Sequence, residues 1–433
     1  MKEAFTKSYK PLLVLAVLVR IAILVIPGNS VRTPWSGGGD MNAYVLLAHN
    51  LVSGDGYTYA HQPSAFRTPG YPLFLATTIE LFGDHFAIAA RSLQVLAGFL
   101  AAYFCMKASR IFFGQESAKA ALLAALWFPT LVYFSGEILT EALTSFFLAL
   151  FLWVLAEDTV RPDWKTAAAM GLVVGFGSLV RANLAILGLV ALMAAWISRP
   201  VAKMRLQLAI IPICAGLVFG PWIVRNWLVF GSPLISTERG AAALVSVVNP
   251  EARPMPGWDK QMRQMIGYVV PNQLETNGPE RLAIGSEIEM NQQCWRKARE
   301  LLSKMSWDDL ARWTLVKWET YWLSTDQLIQ PGRISKLNRA LHLGAVVFYW
   351  ALLGLAGCGW WELRKTRAPI AAVLLGYAVL VTLLHTPFVM NSRIRTPLVD
   401  PLIAVLAGGG FGMLFNTGTR QMNRIEPLPL DVR

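Results

Sequence analysis

GGGDMNAYVLLAHNLVSGDGYTYAHQPSAFRTPGYPLF occupies residues 37–74. It carries one acid behind three glycines, two short apolar segments and an arginine ahead of Pro-Gly-Tyr-Pro. The chain around it has a different character. Its 433 residues are 55% hydrophobic and 15% charged, with a mean hydropathy of +0.44. A soluble domain carries about 25% charge. Runs such as Pro11–Pro27, Leu208–Val224 and Leu341–Gly359 are apolar and long enough to cross roughly 30 Å of hydrocarbon. The expected class is an all-α polytopic membrane protein, with residues 37–74 as a loop held outside the bilayer.

Spans are expected near 11–27, 86–106, 118–135, 141–156, 166–180, 183–198, 206–224, 341–360, 368–385 and 397–415, about ten crossings of the membrane. The connections assigned to the inner side hold Lys2, Lys7 and Lys10, then Lys107, Arg110 and Lys119, Arg161 and Lys165, Arg199, Lys203 and Arg205, Arg364, Lys365 and Arg367, and Arg420 and Arg424. Every inner connection is basic, as the positive-inside rule requires, which places both termini in the cytoplasm. The net charge of +12 is then explained by topology and anionic lipid and calls for no nucleic acid. No small-residue cleavage site follows the first span, which reads as an uncleaved helix. Residues 1–415 form one membrane domain, and 416–433 is a short inner tail. Four scattered cysteines (105, 214, 294 and 358) show no Cys/His metal spacing. Only Cys294 lies on the outer side, so no outer disulfide is expected.

Two outer segments exceed simple connectors: 28–85 and 225–340. Within the first, Tyr44, Leu47, Ala48 and Leu51 form one stripe at helical spacing over 42–52. Residues 72–81 open with a proline suited to a first helical turn. Both segments are too short to span and suit helices lying in the interface. The second outer segment contains SEIEMNQQCWRKARELL, an amphipathic helical pattern.

Arg67, Arg181, Arg225, Arg393 and Arg395 fall at the outer ends of spans, where the positive-inside rule opposes them. Singly, each can snorkel to headgroups. As a group they suit an anion, because a guanidinium matches a phosphate by paired, charge-assisted hydrogen bonds. Asp40 stands where a helix N-cap would and equally where a base at the membrane surface would. Glu137 and Glu141 are four apart, the spacing of one helix face. Acids there suit a helix N-terminus, but acids at membrane depth are costly and mark function. His385, in LLHTPF, reads as structural more readily than catalytic. Asp400 is expected to pair with Arg393 or Arg395.

Taken together, Asp40-x3-Tyr44-x3-Ala48-x2-Leu51-x2-Gly54-x-Gly56, Arg67-Thr-Pro-Gly-Tyr-Pro72, GEILTEAL (136–143), GPWIVRNWLVFGSP (220–233) and RIRTPLVDPLIAVLAGG (393–409) resemble the GT-C superfamily of membrane glycosyltransferases. The resemblance is to its branch of protein mannosyltransferases, aminoarabinose transferase and related polyprenyl-phosphate-sugar transferases, and it runs through nearly the whole chain. No one motif carries it; their order and placement do. It implies a GT-C-like fold, with as many as 11–13 spans in some relatives. It implies that Asp40 is the catalytic aspartate and that Glu141, or alternatively Glu137, is a second acid shaping the site. Arg67, Arg225, Arg393, Arg395 and Arg181 would grip a donor phosphate, and Tyr44, Tyr71 and His385 would position substrate. Many relatives have Asp-Glu at the catalytic position; Met41 follows Asp40 here, so that second acid is missing.

The implied reaction is inverting transfer of a single sugar from a polyprenyl monophosphate to a hydroxyl of a lipid, polysaccharide or protein. It would take place on the periplasmic face of a bacterial inner membrane, catalysed by a monomer. No nucleotide loop is present: Gly37–Gly39 lacks both P-loop and Rossmann spacing. No metal is assigned, though Asp40, Glu137 and Glu141 are the ligands a divalent ion would use. The rival readings are a transporter or flippase of a lipid-linked anion, and a ligase or polymerase of lipid-diphosphate glycans.

Overall fold

The computed structural model describes residues 2–25, 40–59, 62–198, 201–237, 239–248, 286–323 and 336–415. Gly37–Gly39, residues 249–285 of the second outer segment and the tail 416–433 lie outside the described residues. Helix α1 (Lys2–Val25) is followed by α2 (Asp40–Val52) and by a short antiparallel pair, β1 (Thr58–Tyr59) and β2 (Gln62–Pro63). Helix α3 (Gly70–Phe82) leads through a 3-10 turn into α4 (Phe86–Phe113). Then come α5 (Gln115–Trp127), α6 (Pro129–Ser135), α7 (Glu141–Val160) and α8 (Trp164–Val180). A 3-10 turn at Ala182–Ala185 opens α9 (Ile186–Ser198), which precedes α10 (Val201–Phe230). The second outer segment holds α11 (Arg239–Val248), α12 (Ser286–Ser303) and α13 (Trp307–Leu323), and the chain returns through α14 (Lys336–Thr366), α15 (Ala368–His385) and α16 (Ser392–Phe415).

Each expected span falls on a helix or a helix pair, but length supports fewer crossings than ten. Among the described residues six segments are long and apolar enough, and the pair α5–α6 makes a seventh if its 54° bend lies within one span. Helix α8 has 17 residues, which reach about 25 Å and fall short of roughly 30 Å. The α5–α6 bend has a local cause. Pro129 pushes Phe128 out of the α region, to ψ 112°, and supplies no N–H to the turn before it. The expected helices of the first outer loop form as α2 and α3, each a turn or less longer than its periodic pattern.

Helix α16 is the centre of the bundle; 83% of its span window is buried, the highest share among these spans. A Cβ at Gly359 of α14 would sit 1.9 Å from the Leu406 carbonyl oxygen, and one at Gly410 of α16 would sit 2.0 Å from that of Leu355. Only glycine lets these two backbones touch, the small-residue packing that membrane helices use in place of a hydrophobic drive. One buried ion pair then fastens α16 to its neighbours. Arg395 Nε donates to Asp400 Oδ1 at 3.0 Å, and both residues are fully buried. Arg395 Nη1 donates to the Tyr321 carbonyl of α13 at 3.0 Å, and its guanidinium lies 4.1 Å from the Tyr349 ring centroid of α14. Thr130 of α6 donates to Asp400 Oδ2 at 2.7 Å. Arg395 is therefore the partner of Asp400.

The outer helices pack through Ala243, Leu244, Val247, Cys294, Ala298 and Trp313, so the amphipathic pattern at 286–303 buries one face as its periodicity requires. Fully buried Lys317 of α13 donates to Ser246 Oγ and to the Thr386 carbonyl at the end of α15, and its ammonium lies 4.0 Å from the Trp313 ring centroid. Burial lowers its pKa from 10.5 to about 7. Above pH 7 the unfolded chain binds a proton at this position that the folded chain does not, so stability rises with pH from about 7 towards 10.5. Unfolding in detergent across that window is expected to show this rise in wild type and to lose it in Lys317→Met.

Candidate active site

Local sequence rules bring the site residues to one place. Asp40 begins α2, Glu141 begins α7 and Arg393 sits in the first turn of α16. Acids in a first turn suit the helix dipole, so two of the three are placed as local rules favour. Arg67 comes from the loop ahead of α3. That loop is seated by Gly70, where a Cβ would lie 2.6 Å from the Leu179 carbonyl carbon, and by Thr68, which donates to the Val180 carbonyl at 3.3 Å. Arg181 follows as the extended residue that ends α8.

These five side chains form one network. Asp40 Oδ1 accepts from Arg67 Nη2, and Asp40 Oδ2 from Arg393 Nη2 at 2.8 Å. Arg393 Nε donates to Glu141 Oε1 at 2.7 Å, and Arg181 Nη1 lies 3.5 Å from that oxygen. Arg181 also donates to Thr140 Oγ1 at 3.4 Å. Glu141 is fully buried, while Asp40 keeps 33% of its side-chain surface open and Arg393 26%. Burial by itself would raise the Asp40 pKa, but the guanidiniums of Arg67, Arg393 and Arg181 outweigh it and hold the carboxyl well below the usual carboxylate range. Three guanidiniums against two carboxylates leave the network one positive charge in excess. A partly open, net-positive site of this kind accepts an anion.

Aromatic residues line it. Arg67 stacks 5.2 Å from the Tyr44 centroid and 4.6 Å from that of Phe66. Tyr44 meets Tyr71 edge-on at 5.0 Å, and buried Tyr71 donates to Gln94 Oε1 at 2.6 Å. Gln94 in turn donates to the Glu137 carbonyl. Tyr71 is thus a supporting member of the wall.

The structure moves other candidates elsewhere. Glu137 lies in the turn between α6 and α7, with Leu139 N–H donating to its carbonyl at 2.8 Å. Helix α7 starts only at Glu141, so the two acids do not share a helix face. Arg225 donates to the carbonyls of Ser64 at 2.7 Å and Tyr57 at 3.2 Å, and to Asn226 Oδ1 at 2.9 Å. Those bonds hold the first outer loop onto α10. Arg395 is in the buried pair with Asp400. His385 contacts the Val381 carbonyl through Nδ1 and Asn183 Nδ2 through Nε2, both at 2.7 Å, which ties α15 to the turn after α8. Among the described residues no three His, Cys, Asp or Glu side chains come together as a metal site. The arginines around Asp40 and Glu141 also oppose a dication, so a metal held by Asp40, Glu137 and Glu141 does not fit this arrangement.

Three residues escaped sequence reasoning. Glu287 of α12 accepts from Ala65 N–H at 3.0 Å and from Thr237 Oγ1, clamping the first outer loop to the second. Burial raises its pKa against those hydrogen bonds. Tyr133 and His342 line an apolar groove of about 840 Å³ between α1, α5, α6, α14 and α16. Tyr133 also lies close enough to Glu137, Arg393 and Glu141 to feel their charges, so the groove's polar end approaches the network. Nδ1 of His342 is buried and has no hydrogen-bond partner among the described residues. The only sequence signal for these two was a polar group within an apolar run.

Residues 65–224 match the family of dolichyl-phosphate-mannose-protein mannosyltransferases. That region includes Arg67, Glu137, Glu141 and Arg181 and stops one residue before Arg225. The fold is shared with the oligosaccharyltransferase of Archaeoglobus fulgidus. Its structure tethered to an acceptor peptide aligns at 14% identity over 95% of this chain and 50% of that one, with a TM-score of 0.56. The chain has the membrane-embedded fold of that oligosaccharyltransferase. The archaeal oligosaccharyltransferase AglB from the same organism, in complex with an inhibitory peptide and a dolichol-phosphate, aligns at 16% identity over 95% of this chain and 51% of that one, with a TM-score of 0.52. The chain therefore spans about half the length of those structures. ArnT of Cupriavidus metallidurans bound to undecaprenyl phosphate aligns at 17% identity over 94% of this chain and 78% of that one, at a TM-score of 0.44. No curated protein matches the sequence.

Arg393 is the shared partner of both acids, and removing it leaves buried Glu141 short of a counter-charge. Arg393→Met is expected to cost about 3 kcal/mol in unfolding measured in detergent, and Arg393→Met with Glu141→Gln is expected to recover part of that loss.

Proposed function

We propose that this protein is a GT-C glycosyltransferase that moves a single sugar, with inversion, from a polyprenyl monophosphate to an acceptor hydroxyl at the outer face of the membrane. The observation that supports it is Asp40 held among Arg67, Arg393 and Arg181, with an apolar groove between spans whose Tyr133 feels the charges of Arg393 and Glu141. A polyprenyl tail is apolar and its phosphate anionic, so one molecule matches both features. Dolichol-phosphate is the lipid in one of the complexes that share the fold, and a lipid of that class is the donor assigned here.

The chemistry then follows from charge. As the bond from the anomeric carbon to the phosphate oxygen breaks, the leaving phosphate gains negative charge. Arginines gathered on the bound phosphate stabilise the transition state more than the ground state, the condition for raising the rate. Asp40 takes the proton of the attacking hydroxyl on the opposite side of the anomeric carbon. In the described state both Asp40 oxygens accept from arginines, which makes it a weak base. An incoming phosphate draws Arg67 and Arg393 to itself and leaves the carboxylate free to act. Glu141 keeps Arg393 aimed from its far side. Arg225, Arg395 and His385 are assigned to the scaffold by the bonds they make. Basic connections on the opposite side support a periplasmic face for this site.

Asp40→Asn is expected to lose transfer by about 10²–10⁴-fold and to bind polyprenyl phosphate at least as tightly as wild type, because the arginines no longer have Asp40 to hold. The check is complementation of a deletion strain at matched membrane abundance, with mass spectrometry of envelope lipids and glycans. Wild type should restore an increment of one sugar, and Asp40→Asn should not. Full restoration by Asp40→Asn defeats the proposed base, and an oligosaccharide increment defeats the single-sugar reading.

A further inference from the structure

Arg20 is a charged side chain within α1, in an apolar span, and is only 1% exposed. An ionisable group at that depth is costly and calls for a partner and a task. Part of the task is visible. Arg20 Nη2 donates to the carbonyls of Leu126 at 3.2 Å and Ala125 at 3.4 Å. The break at Phe128–Pro129 frees these carbonyls, since Pro129 has no N–H to offer Ala125. That need is met by one nitrogen of the three. Arg20 Nε and Nη1 are buried without a hydrogen-bond partner among the described residues, and so is Oε2 of Glu141.

All three atoms belong to residues lining one enclosed cavity between α1, α4, α5, α6, α7 and α16, beside Ser135 and Ser145. It leaves about 10 Å³ for the centre of a water molecule, about the room one water needs, and a water is retained where it finds two to four polar partners. Gly98 makes the space on the arginine side: a Cβ there would lie 2.8 Å from Arg20 Nη1. We propose that this cavity holds a structural water that accepts from Arg20 and donates to Glu141 Oε2, making Arg20 a positioning residue for the active site. The path runs from Arg20 through the water to Glu141, from Glu141 Oε1 to Arg393 Nε, and from Arg393 Nη2 to Asp40 Oδ2. Arg20 touches no substrate. It keeps the Glu141 carboxylate fixed in rotation, and so fixes the aim of Arg393.

The role in transfer rests on the reaction proposed above; the link from Arg20 to Glu141 does not. Arg20→Lys retains a charge able to serve the freed carbonyls but cannot also present two donors to the cavity. Gly98→Ala retains both charges and displaces Nη1. In purified enzyme, each variant should lower kcat about tenfold while leaving the donor KM within about twofold, because donor contacts are untouched. Arg20→Lys combined with Glu141→Gln should be no slower than Glu141→Gln alone, since Arg20 acts only through Glu141. A kcat within twofold of wild type in both variants, or losses that multiply in the double variant, overturns the proposal. Thermal midpoints of the same four proteins in detergent form a second cycle that needs no activity. Non-additive midpoints support the link, and additive midpoints defeat it even if transfer is seen. If wild type transfers no sugar, the proposed reaction falls, and the midpoints still decide the link.

Discussion

Arg393 is the residue on which the site depends. From the first turn of α16 it reaches Asp40 of α2 through one nitrogen and Glu141 of α7 through another. Those helices are far apart in sequence, and two of them carry an acid at a helix start. Without a cation between them, a fully buried Glu141 and a half-open Asp40 would face a desolvation cost and mutual repulsion. With it, the outer ends of α2, α7 and α16 are joined, and the planar guanidinium suits the task because its donors point in fixed directions.

The rest of the bundle gives that contact a rigid base. Helix α16 holds its position through glycine contacts with α14 and through the buried Arg395–Asp400 pair, which also engages α6 and α13. The two arginines of one RIR motif therefore divide the labour. Arg393 faces the partly open site, and Arg395, two residues on, points into the protein. A helix turns about 100° per residue, so a two-residue step carries a side chain to nearly the opposite face. The first outer loop is held just as firmly, by Arg225 from α10 and Glu287 from α12. These charged residues thus serve mainly to bind backbone and each other, and only a minority face the partly open site.

Much of this was legible in the residues alone. Apolar runs, basic connections and two short interfacial patterns pointed to a polytopic helical protein with a platform at 28–85. The periodic stripe at 42–52 became α2, and the proline-led stretch at 72–81 became α3. Candidate site residues could be picked by cost: an acid or an outer arginine in such a chain needs a reason. Asp40, Arg67, Glu141, Arg181 and Arg393 were found in that way, and they meet. The same rule also selected Arg225, Arg395 and His385, which the fold uses as ties, because cost says that a partner exists and does not say which. Glu137 was misplaced for a smaller reason: a spacing of four implies one face only if a helix covers both residues, and the turn at 136–140 intervenes. Arg20 was visible only as a charge in an apolar run and Glu287 gave no signal, since the groups they meet, backbone carbonyls and a cavity for Arg20 and Ala65 and Thr237 for Glu287, come together only from distant segments.

By itself, then, the sequence determined the class of protein, the helical segments and the set of charged side chains that must be accounted for. Those follow from local propensity and from the cost of polar groups in lipid, both properties of short stretches of chain. Only the tertiary structure decided which arginine meets which acid, where the apolar groove opens and which residues are scaffold. Those depend on distances between helices that may be hundreds of residues apart, and an ion pair or a cavity exists only once the helices have packed.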